Sequence, residues 1–513
     1  MRSIVEAVRD HAAREPERPA IIFEGQTITY GALYARVEGM ARALRAWGLA
    51  SGDRVALFLE NCPEFVVAYL GVHLAGGVVV LVNAQYRQVE LSHILTDSGA
   101  RLCVTTVPGS MELSGLAAPD LEALVIVYDA NPTHTVMGSA VGFEEFLARG
   151  DAGAETPLSM PDADAPAVIA YTSGTTGRAK GALLLHRNLV ANIAAVTTAW
   201  GWTAADRLLL ALPLFHTHGL MVGMHGTLST GASVILRRRF DAAEILGILN
   251  TDANVTMFFG VPTMYRRLLA EAERTGAPAH RLRLYVSGSA PLDSHLFAAF
   301  ARVFGQKILE RYGMTETIMN LTNPYEGERR AGAVGGPFPG QEARVVDTET
   351  RRPLPDGDTG EIEVRGPHVF AGYWNRPDAT ADAFAEDGWF KTGDLGWRSA
   401  DGYYTIAGRA RELIISGGYN IYPREVEDAL AAHSAVAEVA VLGLPDADLG
   451  EQVVAVVVPV DGAAVSADEL VAYCRERLAS YKKPRRVVFV ESLPRNALGK
   501  VQKHLLAAEI QRA

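Results

Sequence analysis

Four groups of residues in this chain carry the chemistry that a polyanion would need. The first is Tyr171-Thr-Ser-Gly-Thr-Thr-Gly-Arg-Ala-Lys180-Gly181. Gly174, Gly177 and Gly181 free the backbone for close approach, Thr172, Ser173, Thr175 and Thr176 supply hydroxyls, and Lys180 supplies a cation. This inventory suits a triphosphate. It is not a Walker A loop, which puts four residues between its glycines and Ser or Thr after its lysine; here only Thr175-Thr176 separate Gly174 from Gly177, and Gly181 follows Lys180. In the second group, Arg311-Tyr312-Gly313-Met314-Thr315-Glu316-Thr317, a carboxylate lies between two hydroxyls, a way of holding Mg2+ beside a phosphate. In the third, Asp394 follows Thr392-Gly393, where an acid accepts both hydroxyls of a ribose, as acids do in dinucleotide folds. The fourth is Lys500, behind Gly499 in Pro494-Arg-Asn-Ala-Leu-Gly-Lys-Val-Gln-Lys503. Each alone also reads as ordinary surface: a solvated Gly/Thr turn, an Asp capping a turn, an exposed lysine.

Positioning these loops falls to an α/β framework. Short apolar runs at Arg54–Leu59, Val78–Val82, Leu102–Thr105, Leu124–Tyr128, Val168–Tyr171, Val234–Leu236, Thr256–Phe259 and Leu284–Val286 alternate with amphipathic segments, the pattern of mostly parallel sheets flanked by helices. From Ala343 closely spaced turn residues interrupt Arg344–Asp347 and Gly360–Arg365, which predicts an antiparallel β-rich subdomain with a hairpin turn at Asp401-Gly402. After Gly408 the pattern is that of a compact α+β unit, with helices over Glu425–Ala432 and Asp468–Ser480 and strands over Val436–Gly443 and Glu451–Val460. At 513 residues the chain exceeds what one hydrophobic core supports, so a large unit over 1–408 and a small one over 409–513 are expected.

Composition narrows the function classes. A formal charge of −11 argues against nucleic acid as the main partner, since a phosphate backbone needs a basic face. Phe65–Ala84 carries no Asp, Glu, Lys or Arg and is long enough to span a membrane, but Gly76-Gly77 divides it into a helical half and a β-branched half, so a buried helix feeding a buried strand is expected. Cys62, Cys103 and Cys474 are odd in number, widely spaced and free of any CxxC, which suits a reducing cytoplasm. The charged N-terminal stretch lacks the apolar core of a signal peptide, so no export is expected. Oligomeric state is not legible.

Taken together and in this order, the four groups resemble the adenylate-forming superfamily of acyl-CoA synthetases, firefly luciferase and the adenylation domains of peptide synthetases. The resemblance runs from about Pro19 to Gln502. It implies an enzyme that uses ATP, Mg2+ and coenzyme A, with the Thr172–Lys180 loop on the ATP phosphates, Glu316 on Mg2+, and Thr315 and His216 beside the reacting groups. It further implies Asp394 and Arg409 at the ribose, Ser289, Ala290, Arg311, Tyr312 and Gly313 around the nucleotide, and Lys500 bridging carboxylate and phosphate. Arg411 would be the pivot of a small domain that swings after adenylation. The loop Ser416-Gly417-Gly418 would then line a passage for pantetheine, and Lys482-Lys483 would meet CoA phosphates.

The same resemblance places the acyl group among Thr217, Val261, Ser287, Gly288 and Met314, with Arg283 as the candidate partner for a second carboxylate. The runs His216-Thr-His-Gly-Leu220, Ser287-Gly-Ser-Ala-Pro-Leu292 and Arg311–Gly335 look most like those of malonyl-CoA synthetases, which implies malonate, with methylmalonate as a further candidate. Other short, medium-chain or aromatic acids remain open. An amino-acid adenylating enzyme would need an acid for the substrate ammonium and a carrier, and none is expected after Lys500. A luciferase-like oxygenase and a non-catalytic nucleotide-binding regulator complete the alternatives.

Overall fold

The computed structural model describes residues 1–127, 140–152, 157–172, 179–278, 281–417, 419–496 and 499–512, with backbone only at 151 and 152. Ser173, Gly174, Thr175, Thr176, Gly177 and Gly418 lie outside the described residues.

Two large sheets are built from the β-branched runs. One has eight strands in the order Gly372–Tyr373, Gly181–Leu185, Pro166–Tyr171, Val78–Leu81, Arg54–Phe58, Ala100–Thr106, Ala123–Val127 and Ala140–Gly142. The other has nine, in the order Gly336–Pro337, Leu321–Thr322, Leu309–Tyr312, Leu284–Ser287, Met257–Gly260, Arg207–Leu210, Ser233–Leu236, Pro19–Phe23 and Gln26–Thr29. The strands run parallel except at the edges, where Tyr171 pairs antiparallel with Gly181 and Tyr312 with Leu321. Successive side chains of a strand face opposite sides, and both sides are buried. Leu208 and Leu210 enter the core between the sheets while Leu209 and Ala211 pack under helices Ala242–Thr251, Pro262–Thr275 and Ser294–Phe304. Burial on both faces is why these strands read as unbroken apolar runs.

The stretch 65–84 resolves as the sequence implied. Pro63 starts a helix to Leu74, apolar all round and buried because it lies inside the main core. Gly76 (φ +83°) turns the chain into strand Val78–Leu81. Among the described residues no helix is long and apolar enough to cross a membrane.

A four-stranded antiparallel sheet follows, Glu342–Val346, Gly360–Arg365, Phe390–Arg398 and Tyr404–Arg409. The chain then passes through a tight turn at Ala410–Glu412 into a separate sheet of five strands, Tyr419–Ile421, Ile414–Ser416, Gly450–Pro459, Val436–Asp446 and Arg486–Phe489. Helices Pro423–Ala431 and Ala467–Arg477 cover one face of it and Lys503–Arg512 the other.

Candidate active site

In parallel sheets the loops after the carboxyl ends of the strands gather on one side, where ligands bind. Here these are the segments following Leu210, Gly260, Ser287 and Tyr312, joined by Tyr171 from the other sheet.

One side of the site is built around Asp394, a buried residue on strand Phe390–Arg398 paired directly across from Arg409. Arg409 Nε lies 2.8 Å from Asp394 Oδ1 and its Nη1 donates to the Thr392 carbonyl at 3.2 Å. The Tyr312 hydroxyl donates to Asp394 Oδ2 at 2.5 Å. Coulombic attraction from Asp394 outweighs desolvation and raises the Arg409 pKa. Ser289 holds a left-handed φ of 67° just after its strand, a conformation costly for a residue with a Cβ and concentrated at functional sites. Ser289, Ala290, Tyr312, Gly313, Asp394, Arg409 and Lys500 line a cavity of about 940 Å³.

A second cavity, of about 1220 Å³, is lined by Thr172, His216, Thr217, Thr315 and, again, Lys500. The base of the threonine–glycine loop is closed by the Thr172 N–H donating to the Lys180 carbonyl at 2.9 Å. Lys180 Nζ sits 4.3 Å from the centre of the Tyr373 ring, and the Tyr373 hydroxyl donates to Glu316 Oε1 at 2.8 Å. Tyr373 therefore ties the loop's lysine to the buried Glu316, a link with no signal in the sequence. Burial raises the Glu316 pKa, opposed by Tyr373 and more weakly by Arg409 and Lys180. A buried acid whose charge is penalised in this way fits a divalent cation, which would relieve the penalty.

Lys500 is carried on a tight arm. The Asn496 N–H donates to the Lys500 carbonyl at 2.9 Å, and the Lys500 N–H to Asn496 Oδ1 at 3.0 Å. Gly499 (φ +75°) brings this arm so close to the large unit that a Cβ there would lie 2.9 Å from Thr263 Oγ1. Burial lowers the Lys500 pKa, and Arg409 adds to the effect while Asp394 opposes it. The lysine thus reaches both cavities, although it lies 320 or more residues from the threonine-rich loop by number (500 − 180).

The acyl-side residues divide differently from expectation. Arg311 follows Glu310 and precedes Tyr312 on the same strand, so its side chain leaves from the face opposite Tyr312. Its guanidinium packs on Gly288, where any Cβ would collide with it, and its charge helps depress the pKa of His216 and His218. Arg311 is buried, and among the described residues its Nε and Nη2 have no hydrogen-bond partner; nor do Ser287 Oγ and both ring nitrogens of His218. Desolvation pushes the Arg311 pKa down to about 9 and that of His216 to about 4. His216 Nδ1 accepts the His218 backbone N–H at 3.3 Å, which keeps that nitrogen unprotonated. Thr217 is buried at the start of the π-helical turn His218–Met224, and Met314 Sδ lies 3.9 Å from the Tyr312 hydroxyl. Val261 is buried at the mouth of helix Pro262–Thr275.

Two expectations are corrected. Arg283 does not face the acyl site: it stands before Leu284, at the amino end of its strand, and is consumed by a bidentate pair to buried Asp206 (Nε–Oδ1 2.6 Å, Nη2–Oδ2 2.9 Å) and by the Trp200 carbonyl at 2.8 Å. Arg311, expected at the nucleotide, lines the cavity of about 940 Å³ together with Tyr312, Asp394 and Arg409, and its guanidinium also packs on Gly288. Lys482 is paired with Glu425 at 2.6 Å and Lys483 Nζ donates to the Ser480 carbonyl at 2.9 Å, so the first is not a free cation. Arg411 lies in the turn between the antiparallel sheet and the five-stranded sheet and lines the larger cavity. Gly417 (φ +59°) sits in the turn of the Ile414–Ser416/Tyr419–Ile421 hairpin and lines neither cavity.

Comparison with known proteins agrees with this geometry. Residues 8–374 match the AMP-binding enzyme family and residues 425–500 the AMP-binding enzyme C-terminal domain. Curated relatives include a sulfoacetate–CoA ligase of Cupriavidus necator (39% identical; 96% of this chain and 95% of the relative), a long-chain-fatty-acid–CoA ligase of Bacillus subtilis (36%; 98% and 93%) and a malonate–CoA ligase of Arabidopsis thaliana (33%; 99% and 89%). Among solved structures, ATP-bound MatB from Rhodopseudomonas palustris superposes with a TM-score of 0.90 at 40% identity over 99% of each chain. The chain belongs to the AMP-binding enzyme family, within the adenylate-forming superfamily. Within it the protein is an AMP-forming acyl-CoA synthetase, working with ATP, Mg2+ and coenzyme A.

Proposed function

We propose that the acid activated is a short one carrying a second anionic group, malonate above all, so that the overall reaction is malonate + ATP + CoA to malonyl-CoA + AMP + pyrophosphate. The observation that carries this is Arg311: a buried cation, with Nε and Nη2 unpartnered among the described residues, beside Ser287 and His218, whose polar atoms are also unpartnered. A buried charge is stable only when paired, and a distal carboxylate supplies the missing partner. The guanidinium also fills the space beside Gly288. Likeness to a malonate–CoA ligase supports the same acid. The unpartnered guanidinium suits a sulfonate equally, and a sulfoacetate–CoA ligase is among the relatives, so sulfoacetate is the second reading.

In the first half-reaction a carboxylate oxygen of the acid attacks the α-phosphorus of ATP and pyrophosphate leaves. Asp394 and Arg409 hold the ribose, and Lys180 with the threonine–glycine loop holds the departing phosphates. Lys500 stabilises the charge that builds at the α-phosphate as anion meets anion. Mg2+, when bound, neutralises phosphate charge, and Glu316 with Thr315 would hold it. His216, kept neutral by burial, borders the acyl group without adding a positive charge. In the second half-reaction the CoA thiol attacks the acyl carbonyl and AMP leaves. Lys500 then stands where the thiol must approach, so the small unit, 409–513, turns about Arg411 relative to 1–408 and presents Gly417-Gly418 instead. None of the three buried cysteines is in a disulfide among the described residues, which supports a reducing cytoplasmic setting.

The test is ATP–pyrophosphate exchange and CoA thioester formation with malonate, methylmalonate, sulfoacetate, acetate, butyrate and benzoate. Malonate should give the highest kcat/KM. A higher value with acetate, butyrate or benzoate than with either dianion would overturn the assignment.

A further inference from the structure

We propose that His93 and Asp97 are positioning residues that grip both stems of the phosphate loop from helix Gln88–Ser98, a segment remote from every motif in the sequence. The inference rests on the reading of that loop as the phosphate site. Spaced four apart, the two side chains share one helix face. His93 Nε2 lies 2.7 Å from the Ala179 carbonyl oxygen, so it carries the proton and donates to the outgoing stem. The same ring meets the Tyr171 ring edge-on, with centroids 6.0 Å apart at 78°, on the incoming stem. Asp97 Oδ2 accepts the Tyr171 hydroxyl at 2.8 Å, its Oδ1 is paired with Arg376 Nη2 at 2.9 Å, and its carbonyl accepts Trp374 Nε1–H at 3.1 Å.

The sheet alone cannot do this. Among the described residues the ladder between the two stems ends at Tyr171 and Gly181, and the Thr172–Lys180 backbone bond continues it. Ala179 lies one residue further out, so the His93 bond extends the hold past the point where pairing stops. Fixing the stems before the ligand arrives lowers the ordering cost of binding a triphosphate. Although His93 and Asp97 line the same cavity as His216 and Thr217, their bonds go to Ala179 and Tyr171, so the arrangement should act on ATP and pyrophosphate rather than on the carboxylic acid.

The experiment compares wild type, His93→Ala and His93→Gln, whose amide N–H can restore the bond to Ala179. It measures KM for ATP and for the acid by pyrophosphate exchange, binding of a non-hydrolysable ATP analogue by calorimetry, and Tm. His93→Ala should weaken analogue binding and raise the ATP KM about tenfold, the effect of one hydrogen bond, with the acid KM unchanged and His93→Gln recovering most of the loss. Unchanged analogue affinity in His93→Ala, equal rises in both KM values, or no recovery in His93→Gln would overturn the inference. Exchange with no acid in the wild type would instead refute the activity, and analogue binding would still decide the clamp.

Discussion

Replacing Arg311 by Met separates the acid-binding reading from a structural one. Met matches the side chain as far as Nε and removes the guanidinium and its charge, and the close approach to Gly288 argues against a bulkier substitute. Two N–H donors, Nε and Nη2, are buried without a hydrogen-bond partner among the described residues, and in the proposed reading both donate to the acid's distal anion. Hydrogen bonds to a charged group are worth about 1.5–3 kcal/mol each, so losing both costs about 3–6 kcal/mol, or roughly a hundredfold to ten-thousandfold in kcat/KM for malonate. Butyrate, which lacks the second carboxylate, should hold or gain, because the variant no longer buries an unpaired cation beside its methyl end. The stability readout points the same way: with Nε and Nη2 unpartnered among the described residues, desolvation of Arg311 outweighs the attraction of Glu310, so Tm should not fall. Pyrophosphate release with each acid and a thermal melt suffice. If malonate and butyrate lose activity in equal proportion, or malonate stays within fivefold of wild type, the assignment of Arg311 to the distal anion is wrong.

Three further outcomes are expected. Lys500→Ala should slow adenylation by at least roughly a hundredfold, the loss of one well-placed donor at about 2.7–4 kcal/mol, while thioester formation from supplied acyl-AMP stays within a few fold; equal losses in both would remove the lysine's special role. Arg283→Leu should destabilise the fold by about 3–5 kcal/mol by stranding buried Asp206, without changing the ranking of acids; a change in acid preference at unchanged Tm would return Arg283 to the site. Burial holds His186, His216 and His368 neutral with pKa values pushed down to about 4 and His225 to about 3, from 6.5. Because the unfolded chain binds these protons first, their contribution is complete above pH 6.5 and drains as pH falls toward 4, at about 1.4 kcal/mol per unit for each; melting temperatures that stay level from pH 6.5 to 4.5 would contradict it.

How far the sequence could be read followed from the range of the forces involved. The inner strands were legible because burial on both faces leaves nothing but β-branched and apolar side chains, as in Val78–Leu81. Arg207–Leu210 escaped notice: a run of three leucines has no period of its own and is assigned by its neighbours Ser233–Leu236 and Met257–Gly260. The π-helical turn His218–Met224 lies in a Gly/His/Met stretch without a propensity signal. In the site, residues whose job is done by the local backbone, such as Asp394 behind Gly393 or Lys500 behind Gly499, stood out by type and spacing. Residues whose job depends on a distant partner did not. Tyr373 joins Glu316 across 57 positions, and Arg283, a reasonable candidate on charge alone, is claimed by Asp206 across 77.

The strand Leu309–Tyr312 explains how nucleotide and acid can be handled independently at one place. Its side chains alternate, so Tyr312 reaches Asp394 while Arg311 reaches Gly288, and in the proposed reading the first serves the ribose and the second the acid. Neighbours in sequence, they leave the strand from opposite faces, although both line the cavity of about 940 Å³. A change at 311 alters what lies beside Ser287 and His218 and leaves the Tyr312–Asp394–Arg409 network in place. Adenylating power and acid preference are then separable by substitution at a single position, whereas loss of Tyr312, Asp394 or Lys500 would affect every acid alike. The physical basis is the period of two in a β-strand, which sends Arg311 and Tyr312 from opposite faces of one element, so that under the proposed roles each can be changed without the other.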